Sequence, residues 1–597
     1  MQLQPGKFLI FLTLMLPVLQ DRLDAQDLLL FFENSELLTN KELGSPFCKA
    51  FTDLDGDYRD DLIRLDGDDR LYIEFSSNAG QSLSSLVLPA VPGDIWTTSV
   101  GDLDNDGINE ILTAGIYNGL TVWDNTNNGF SYDVKQKTIG DFYAQASNLV
   151  DINNDGWLDA FICNDDGLSK IFINDGNGQL IDSSDMIDMR TAIASDNSGN
   201  YASEWTDIDG DGDLDLYIAK CRINVNDFSD PRRINALFIN ENGEFREAAE
   251  EYGIAVGAQS WTANFGDIDN DGDMDMFITN HDFRSQLFEN INNDTFVEIN
   301  YLENGMSLKS YAFQSAFTDF DNDGWLDIII AGQEGFILQN KGDKTFIRLD
   351  NPFGFEDIAS FALGDINNDG FTDVLSSYNL LGSSFNKPDR FWQNLGNNNN
   401  YLTISLQGQN SNRSGIGARV EAYGSWGKQT RIIQSGIGYG TTHSLKARFG
   451  LGSSASIDSL LIHWPSGHVD IYDDIQINNS YLAIESSCLE VLPRVDLGLS
   501  LLDCNTDTIC IHSSDNMPLT WNDGSFADSL CVISSGYVSA FSQLNLNCRL
   551  PVQSVYIDSL SQPSKPELDI INELRICKDR NFVIGERSNN EYLWQDG

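Results

Sequence analysis

One nine-residue string, Asp-x-[Asp/Asn]-x-Asp-Gly-x-x-[Asp/Glu], recurs seven times, starting at Asp53, Asp102, Asp151, Asp207, Asp267, Asp319 and Asp365. The intervals are 49, 49, 56, 60, 52 and 46 residues, so the chain is built from near-regular units, each of supersecondary size. Short apolar runs follow the strings, as in Asp159-Ala-Phe-Ile, Asp215-Leu-Tyr-Ile, Asp275-Met-Phe-Ile and Asp327-Ile-Ile-Ile, and they read as buried strands rather than helices. A strand, a turn and an aromatic residue come next (LFINENGEF from Leu237, LFENINNDTF from Leu287, ILQNKGDKTF from Ile337), giving about four strands per unit. Four-stranded units repeated radially are the blades of a β-propeller, which hides its sheet edges by closing on itself. The expected fold is therefore all-β and seven-bladed, with the segment Leu28 to Phe32 available to complete the last blade. Fifty Gly against 14 Pro agree with many tight turns between short strands.

The spacing within each string fits calcium. A hard divalent cation takes about six to eight oxygens, and a tight loop supplies them from side chains at positions 1, 3 and 5, a carbonyl at 7 and a closing carboxylate, with Gly at 6 for the turn. The candidate ligands, loop by loop, are Asp53, Asp55, Asp57 and Asp61; Asp102, Asp104, Asp106 and Glu110; Asp151, Asn153, Asp155 and Asp159; Asp207, Asp209, Asp211 and Asp215; Asp267, Asp269, Asp271 and Asp275; Asp319, Asp321, Asp323 and Asp327; and Asp365, Asn367, Asp369 and Asp373. An EF-hand closes at position 12, where this chain has Arg64, Thr113, Ile162, Ile218, Ile278, Ile330 and Ser376, so that loop type is excluded. Solvated Asx turns are the plain alternative. They do not need three or four mutually repelling carboxylates, whereas a bound Ca²⁺ reverses the sign of the local field. About seven Ca²⁺ ions, one per blade, are expected, and they would offset about 14 negative charges. Loop one carries Tyr58 where the others have Gly, which disfavours tight binding there.

Charge narrows the partners. Ninety Asp plus Glu against 36 Lys plus Arg leave a net charge of −54, which removes the electrostatic drive for nucleic-acid binding and disfavours anionic membranes. Lys7 followed by the apolar stretch from Phe8 to Leu19, too short to span a bilayer, reads as a signal peptide over residues 1–25. The mature chain is thus expected to be secreted or held on the outer cell surface. Of nine Cys, Cys48, Cys163 and Cys221 are scattered, while Cys488, Cys504, Cys510, Cys531, Cys548 and Cys577 crowd the C-terminal end.

Strings such as Phe265-Gly-Asp-Ile-Asp-Asn-Asp-Gly and Val100-Gly-Asp-Leu-Asp-Asn-Asp-Gly resemble the FG-GAP and VCBS repeats of integrin α-subunit propellers and bacterial surface proteins. Residues 401 to 470, with YLTISLQG, Asn412-Arg-Ser-Gly-Ile-Gly-Ala-Arg-Val420, HSLKARFGLG from His443 and Ile462-His-Trp-Pro-Ser-Gly467, are similar to the ASPIC/UnbV domain that follows such a propeller in cartilage acidic protein and its bacterial relatives. The resemblance implies a secreted, calcium-binding propeller over 26–395, without established enzymatic activity, and a small β domain over 396–487. Val495-Asp-Leu-Gly, Trp521-Asn-Asp-Gly and Ser534-Ser-Gly-Tyr537 resemble Ig-like or PKD-like adhesion repeats, one over 495–560 and the start of a second over 563–597. In such a β-sandwich a Cys510–Cys548 disulfide would fit. The chain then ends inside the second repeat, as a truncated product would.

Catalytic signatures are scarce. The five His are His281, His443, His463, His468 and His512, and neither H-E-x-x-H nor G-x-S-x-G occurs. Lys341-Gly342-Asp343 sits in a blade turn. Two functions follow: a calcium-stiffened adhesion or binding protein that recognises a polysaccharide or a protein, or a polysaccharide lyase or hydrolase built on the propeller. A basic residue beside an Asp in the central channel would favour the second.

Overall fold

The computed structural model describes residues 31–492, apart from 45–46, 48, 77–82, 91–93, 126–130, 139, 194–197, 301–310, 334, 351, 355, 380–386 and 488, and beyond 496 the backbone of several strands. Each repeat forms one antiparallel sheet. Blade one holds Lys49–Thr52, Asp61–Leu65, Leu71–Phe75 and Ser84–Val87; blade two Ile95–Gly101, Glu110–Gly115, Leu120–Asn125 and Tyr132–Lys137; blade three Ala144–Val150, Asp159–Asn164, Lys170–Asn174 and Leu180–Asp182. Blade four holds Asn200–Thr206, Asp215–Lys220, Ala236–Glu241 and Glu244–Glu247; blade five Ser260–Gly266, Asp275–Asn280, Gln286–Ile291 and Thr295–Ile299; blade six Ala312–Thr318, Asp327–Gly332, Phe336–Asn340 and Phe346–Asp350. Blade seven has Ser360–Gly364, Asp373–Ser377 and Arg390–Asn394, and its fourth strand is the N-terminal Phe31–Glu33, with Phe31 opposite Asn394 and Glu33 opposite Trp392. The first strands of successive blades neighbour one another all the way round, blade seven against blade one included, so the ring is closed. The second strands are buried along their whole length because blades pack on both of their faces. Outer strands such as Tyr132–Lys137 are largely exposed.

The next segment folds as two four-stranded sheets. One is ordered Ala447–Gly452, Asn400–Gln407, Asn479–Ile484, Leu489–Leu492, and the other Gly427–Ile432, Arg419–Gly424, Ser459–His463, Val469–Tyr472. Their inner faces share one core, with Leu402, Ile404, Val420, Phe449, Leu460, Ile462 and Trp464, and this core runs without a break through Ile416 and Ile433 into Leu103, Leu149 and Leu158 of blades two and three. The second domain therefore sits on the propeller face that carries the acidic loops.

From it, residues 434–444 descend into the central channel and touch every blade. Thr441–Thr442 pairs in parallel with Lys49 and Ala50 of blade one. The Ser435 hydroxyl donates to the Val100 carbonyl at 2.7 Å, the Asn148 amide to the Gly436 carbonyl at 3.0 Å, and the Gln434 amide to Glu204 at 3.0 Å. Gln314 donates to the Thr441 hydroxyl at 3.0 Å, and the Ser444 N–H to the Leu363 carbonyl at 2.9 Å. At the far end the Tyr439 ring lies 4.9 Å from that of Trp261 in blade five. The first strands line the channel with buried polar residues, Thr97, Thr98, Ser99, Gln145, Ser147, Asn148, Thr262 and Gln314 among them. Such groups need partners when water is excluded, and this segment supplies many of them.

Beyond 496, backbone strands pair as one three-stranded and one five-stranded sheet, the latter running from Phe526–Ala527 to Asn581–Gly585. The signal-peptide stretch and Cys548 lie outside the described residues. Cys163 and Cys221 are free and buried.

The channel segment gives a direct test. Gly436 has φ of +79°, and a Cβ there would stand 2.0 Å from the Ser147 carbonyl oxygen. Gly436→Val should therefore push the segment out of the channel, lowering the melting temperature by several degrees and exposing residues 434–444 to limited proteolysis. A variant that melts and digests like the parent would contradict the tight fit.

Candidate metal centres and the docked face

Every loop is shaped the same way. Position 4 adopts the left-handed conformation, with φ from 52° to 60° at Asn105, Asn154, Asn270, Asn322 and Asn368, and 77° and 80° at Gly210 and Gly56. Position 6 is left-handed as well, at Gly107, Gly156, Gly212, Gly272, Gly324 and Gly370. Asn tolerates this region better than most side chains and Gly tolerates it freely, which is why the string alternates them. Tyr58 takes the same place in loop one at φ 63°.

Those turns aim backbone N–H groups at the carboxylates. The position-1 acid accepts from the position-6 N–H at Asp53, Asp102, Asp151, Asp319 and Asp365, at 2.7 to 2.8 Å. The position-9 acid is the first residue of the second strand and is buried in all seven loops. One of its oxygens accepts from the position-2 N–H at Asp61, Glu110, Asp159, Asp215, Asp275, Asp327 and Asp373, at 2.6 to 3.1 Å. The other accepts from the end of the third strand, through the N–H of Ser76, Asn174, Asn240, Asn290, Asn340 or Asn394, at 2.8 to 2.9 Å. In blade two the corresponding Glu110 oxygen has no hydrogen-bond partner.

The carboxylates converge. Oxygens of Asp53, Asp55 and Asp57, of Asp102, Asp104 and Glu110, of Asp207, Asp209 and Asp215, of Asp267, Asp269 and Asp271, and of Asp319, Asp321 and Asp327 form sets lying within 4.8 Å of one another. Loops three and seven place an amide there instead, with Asn153 donating to Asp155 at 2.9 Å and Asn367 to Asp369 at 2.8 Å. Asp104 Oδ1 and Asp267 Oδ2 are buried without a hydrogen-bond partner. Burial, and after it the neighbouring acids, raise the carboxyl groups well above their usual range: Glu110 is pushed up to about 10 by burial with Asp104 and Asp102 behind it, and Asp55 to about 8 by burial with Asp57 and Asp53. An oxygen-only set of crowded, partly unpartnered carboxylates fits a hard divalent cation. Loops two and five also hold an ammonium group: Lys135 pairs with Asp104, and Lys344 with Asp269 and Glu289.

Several contributors escape a reading of the string alone. The third-strand Asn reaches across to the preceding blade: Asn174 donates to the Leu103 carbonyl at 2.8 Å, Asn290 to Ile208 at 3.2 Å, Asn340 to Ile268 at 2.9 Å and Asn394 to Phe320 at 2.8 Å. Position-4 Asn does the same between neighbouring loops, from Asn105, Asn270 and Asn322 to the carbonyls of Gly156, Gly324 and Gly370. The recurrence of Asn at the end of the third strand in every repeat but the first was the available signal. Tyr58 packs against Leu482, Ile484 and Leu492 and meets the Gln407 amide at 3.0 Å, so the departure from Gly serves the second domain, and the Asp53, Asp55, Asp57 set forms regardless.

Residues 400–492 contain six Lys and Arg, of which Lys446, Arg448 and Arg419 meet propeller acids, while Arg419 and Lys428 also pair with Glu421 of the second domain. Lys446 and Arg448 pair with the buried Asp60 at 3.0 and 2.7 Å. Burial works to raise the Asp60 carboxyl, but these two cations hold it below its ordinary range. Arg419 donates to the Gly272 carbonyl at 3.0 Å and stands 3.9 Å from Asp207, Lys428 covers Gly272, Arg413 covers Gly107, and the buried Arg431 guanidinium interacts electrostatically with Asp319 and Asp267. The second domain is thus docked by charge as well as by its shared core.

Residues 408–489 match the ASPIC and UnbV family, and residues 151–218, 223–278 and 319–376 match the FG-GAP-like repeat. Among curated proteins none matches the chain. Solved structures similar to it include an Agrocybe aegerita lectin that recognises non-reducing terminal N-acetylglucosamine (18% identity, TM-score 0.38, covering 53% of this chain and 82% of the lectin). Others are Saccharomyces cerevisiae Sqt1 (11%, 0.39, 62% and 99%) and YCF48 bound to a D1 peptide (10%, 0.38, 62% and 98%). FG-GAP repeats commonly bind calcium, and the acidic clusters of this chain are able to hold a metal. The chain carries FG-GAP-like repeats, folded as a β-propeller, and an ASPIC/UnbV domain.

Two outcomes follow. In chelator, carboxyl groups raised in the folded state bind protons there more tightly than in the unfolded chain. Stability should therefore fall as pH rises from about 4, the unfolded value, through the range up to about 10 set by Glu110. In millimolar Ca²⁺ the ligands are held ionised, so the decline between pH 5 and 8 should vanish; parallel melting curves with and without the ion check it. Tyr58→Gly should lower stability by about 1 kcal/mol, because lost packing of about 2 kcal/mol exceeds the relieved left-handed strain of about 1 kcal/mol. Denaturant unfolding reads the balance, and a stabilised variant would reverse it.

Proposed function

We propose that this is a secreted or surface-exposed calcium-binding protein of about seven ions, one per blade, that recognises a polysaccharide or a protein through its propeller. The observation that carries the reading is the commitment of the acidic face and the channel to the second domain. The loop carboxylates work inside the fold, and the propeller face away from that domain remains for a partner.

A lyase or hydrolase on the same scaffold is the competing reading. It needs a base beside an acid where a sugar can enter. The cavity of about 130 Å³ between the domains is lined by residues that include Glu204, His443 and Lys446. Glu204, pushed up to about 7 by burial, accepts from the Phe265 N–H and from Asn264 and Gln434. His443 accepts from the Leu363 N–H, stacks on Phe361, and is pushed down to about 3 by burial. His463 and His468 pair with Glu421 and Asp470 on the second domain. Groups so engaged favour the binding reading.

Asp271→Ala separates the two. It removes a loop-five ligand, so the melting temperature in Ca²⁺ should drop by several degrees, with binding to a glycan array falling only as far as folding does. A parent that releases reducing ends from a polysaccharide, with an inactive variant of unchanged melting temperature, would establish the enzyme instead.

A further inference from the structure

The face opposite the second domain carries an aromatic cluster of which the channel segment, through Tyr439, engages the inner ring and leaves the outer members uncovered. Six residues ahead of the first Asp of the loop, at or near the start of the first strand, blades one, two, four, five and six carry an aromatic residue: Phe47, Trp96, Tyr201, Trp261 and Phe313. Tyr439 plugs the middle of this ring from below. Its hydroxyl accepts from the Trp96 indole N–H at 2.9 Å and donates to Gln145, and its ring stacks on Tyr201 at 6.1 Å and 14°. The channel therefore ends in a closed aromatic floor.

The floor continues outward as rings in contact. On one side Trp96 meets Tyr143 at 6.3 Å, and Tyr143 meets Tyr117 at 5.8 Å. On the other Trp261 lies against His281 at 4.3 Å, and His281 against Tyr311 at 5.7 Å. The end members are wide open, Tyr117 at 53% and Tyr311 at 51% exposure. A row of rings that ends in exposed tyrosines leaves apolar faces in water, a cost that a monomer ordinarily avoids.

The rim of this basin holds donors and acceptors side by side. Asp166 accepts from the Tyr117 hydroxyl, and Arg222 stands 3.9 Å from Asp165 and 3.8 Å from Asp166. Asp165 also accepts from Gln145 at 2.9 Å, and Asp282 is paired with Arg233 at 2.6 Å. The Nε2 of His281 is buried without a hydrogen-bond partner. Three carboxylates against two guanidinium groups leave this rim slightly acidic, which disfavours a polyanion, and each carboxylate already holds a partner within the protein, which leaves no free acid for a polycation. Hydroxyl groups, which donate and accept at once, match alternating partners of this kind. Aromatic faces match the apolar C–H faces of pyranose rings.

We infer that the aromatic basin formed by Tyr117, Tyr143, Trp96, Tyr201, His281 and Tyr311 binds a neutral glycan, with sugar rings stacked on its exposed tyrosines and their hydroxyls bonded to the Asp165, Asp166 and Arg222 rim. The inference rests on the binding function proposed above and assigns it a place and a ligand class. Because Tyr439 closes the floor, a glycan lies across the face or presents an end to it and does not thread the channel.

The test uses the full chain in Ca²⁺ with laminarin and mannan as neutral probes, alginate and polygalacturonate as acidic ones, and poly-lysine as a cationic one. Binding is read by affinity electrophoresis and by the fluorescence of the tryptophans in the floor. The expected result is retardation by a neutral glycan, weakened by about tenfold or more in the Tyr117→Ala, Tyr311→Ala double variant. Both side chains are about half exposed, so the melting temperature should stay unchanged. Neutral binding that survives the double variant would leave the glycan-binding function standing and remove the basin from it. Retardation by alginate, polygalacturonate or poly-lysine alone would overturn the ligand class. Failure of every probe to bind would overturn the inference together with the polysaccharide half of the proposed function.

Discussion

The buried carboxylate that closes each acidic loop is the group on which the architecture turns. It sits at the start of a fully buried strand, and its two oxygens tie the loop in front of it to the third strand behind it in six of the seven blades. Hydrogen bonds to a charged acceptor contribute about 1.5 to 3 kcal/mol each, while removing the charge from water costs several kcal/mol. The two are close to balance, and the further acids of the loop tip the sum against folding. A divalent cation among them would make the same arrangement favourable, since it would supply the opposite charge where the dielectric is low. The blades thus have an electrostatic dependence that their apolar contacts alone do not reveal.

That dependence explains the second domain's position. An acidic face invites cations, and a domain that brings Lys446, Arg448 and Arg419 against it shields part of what the loops leave uncompensated. Charge alone would give a loose and salt-sensitive contact. The joint becomes rigid because apolar residues run through it as one core and because residues 434–444 satisfy polar groups that a water-free channel would otherwise strand. Position-4 and third-strand Asn residues pass the constraint from blade to blade, so loop shape, ring closure and docking support one another.

A molecule built this way is stiff on one side and available on the other. The loop face is spent on internal contacts, and the channel is filled to an aromatic floor. On the opposite face, aromatic rings and mixed polar groups come together from blades two to six. Repetition made that concentration available: the same position in successive blades points to the same central place, so a preference for aromatic residues there gathers rings from distant parts of the chain.

The sequence by itself determined the number of blades, the class of fold, the presence of an acidic string in every repeat and the presence of a second module after the ring. Each depends on patterns local to about fifty residues: a string that admits one turn geometry, a following strand, a turn with Gly or Asn at a left-handed position. Even the completion of blade seven by the N-terminal strand was legible, because a ring must close. Tertiary structure alone decided what Tyr58, Asp60 and Tyr439 do. Within their own segments they look like a departure from pattern, a spare acid and a loop aromatic. Tyr58 meets Gln407, Asp60 meets Lys446 and Arg448, and Tyr439 meets Trp96 across intervals of some 340 to 390 residues. Contacts that distant arise only when two separately folded surfaces, one acidic and one basic, are brought together, and no local pattern encodes which residues will then face each other.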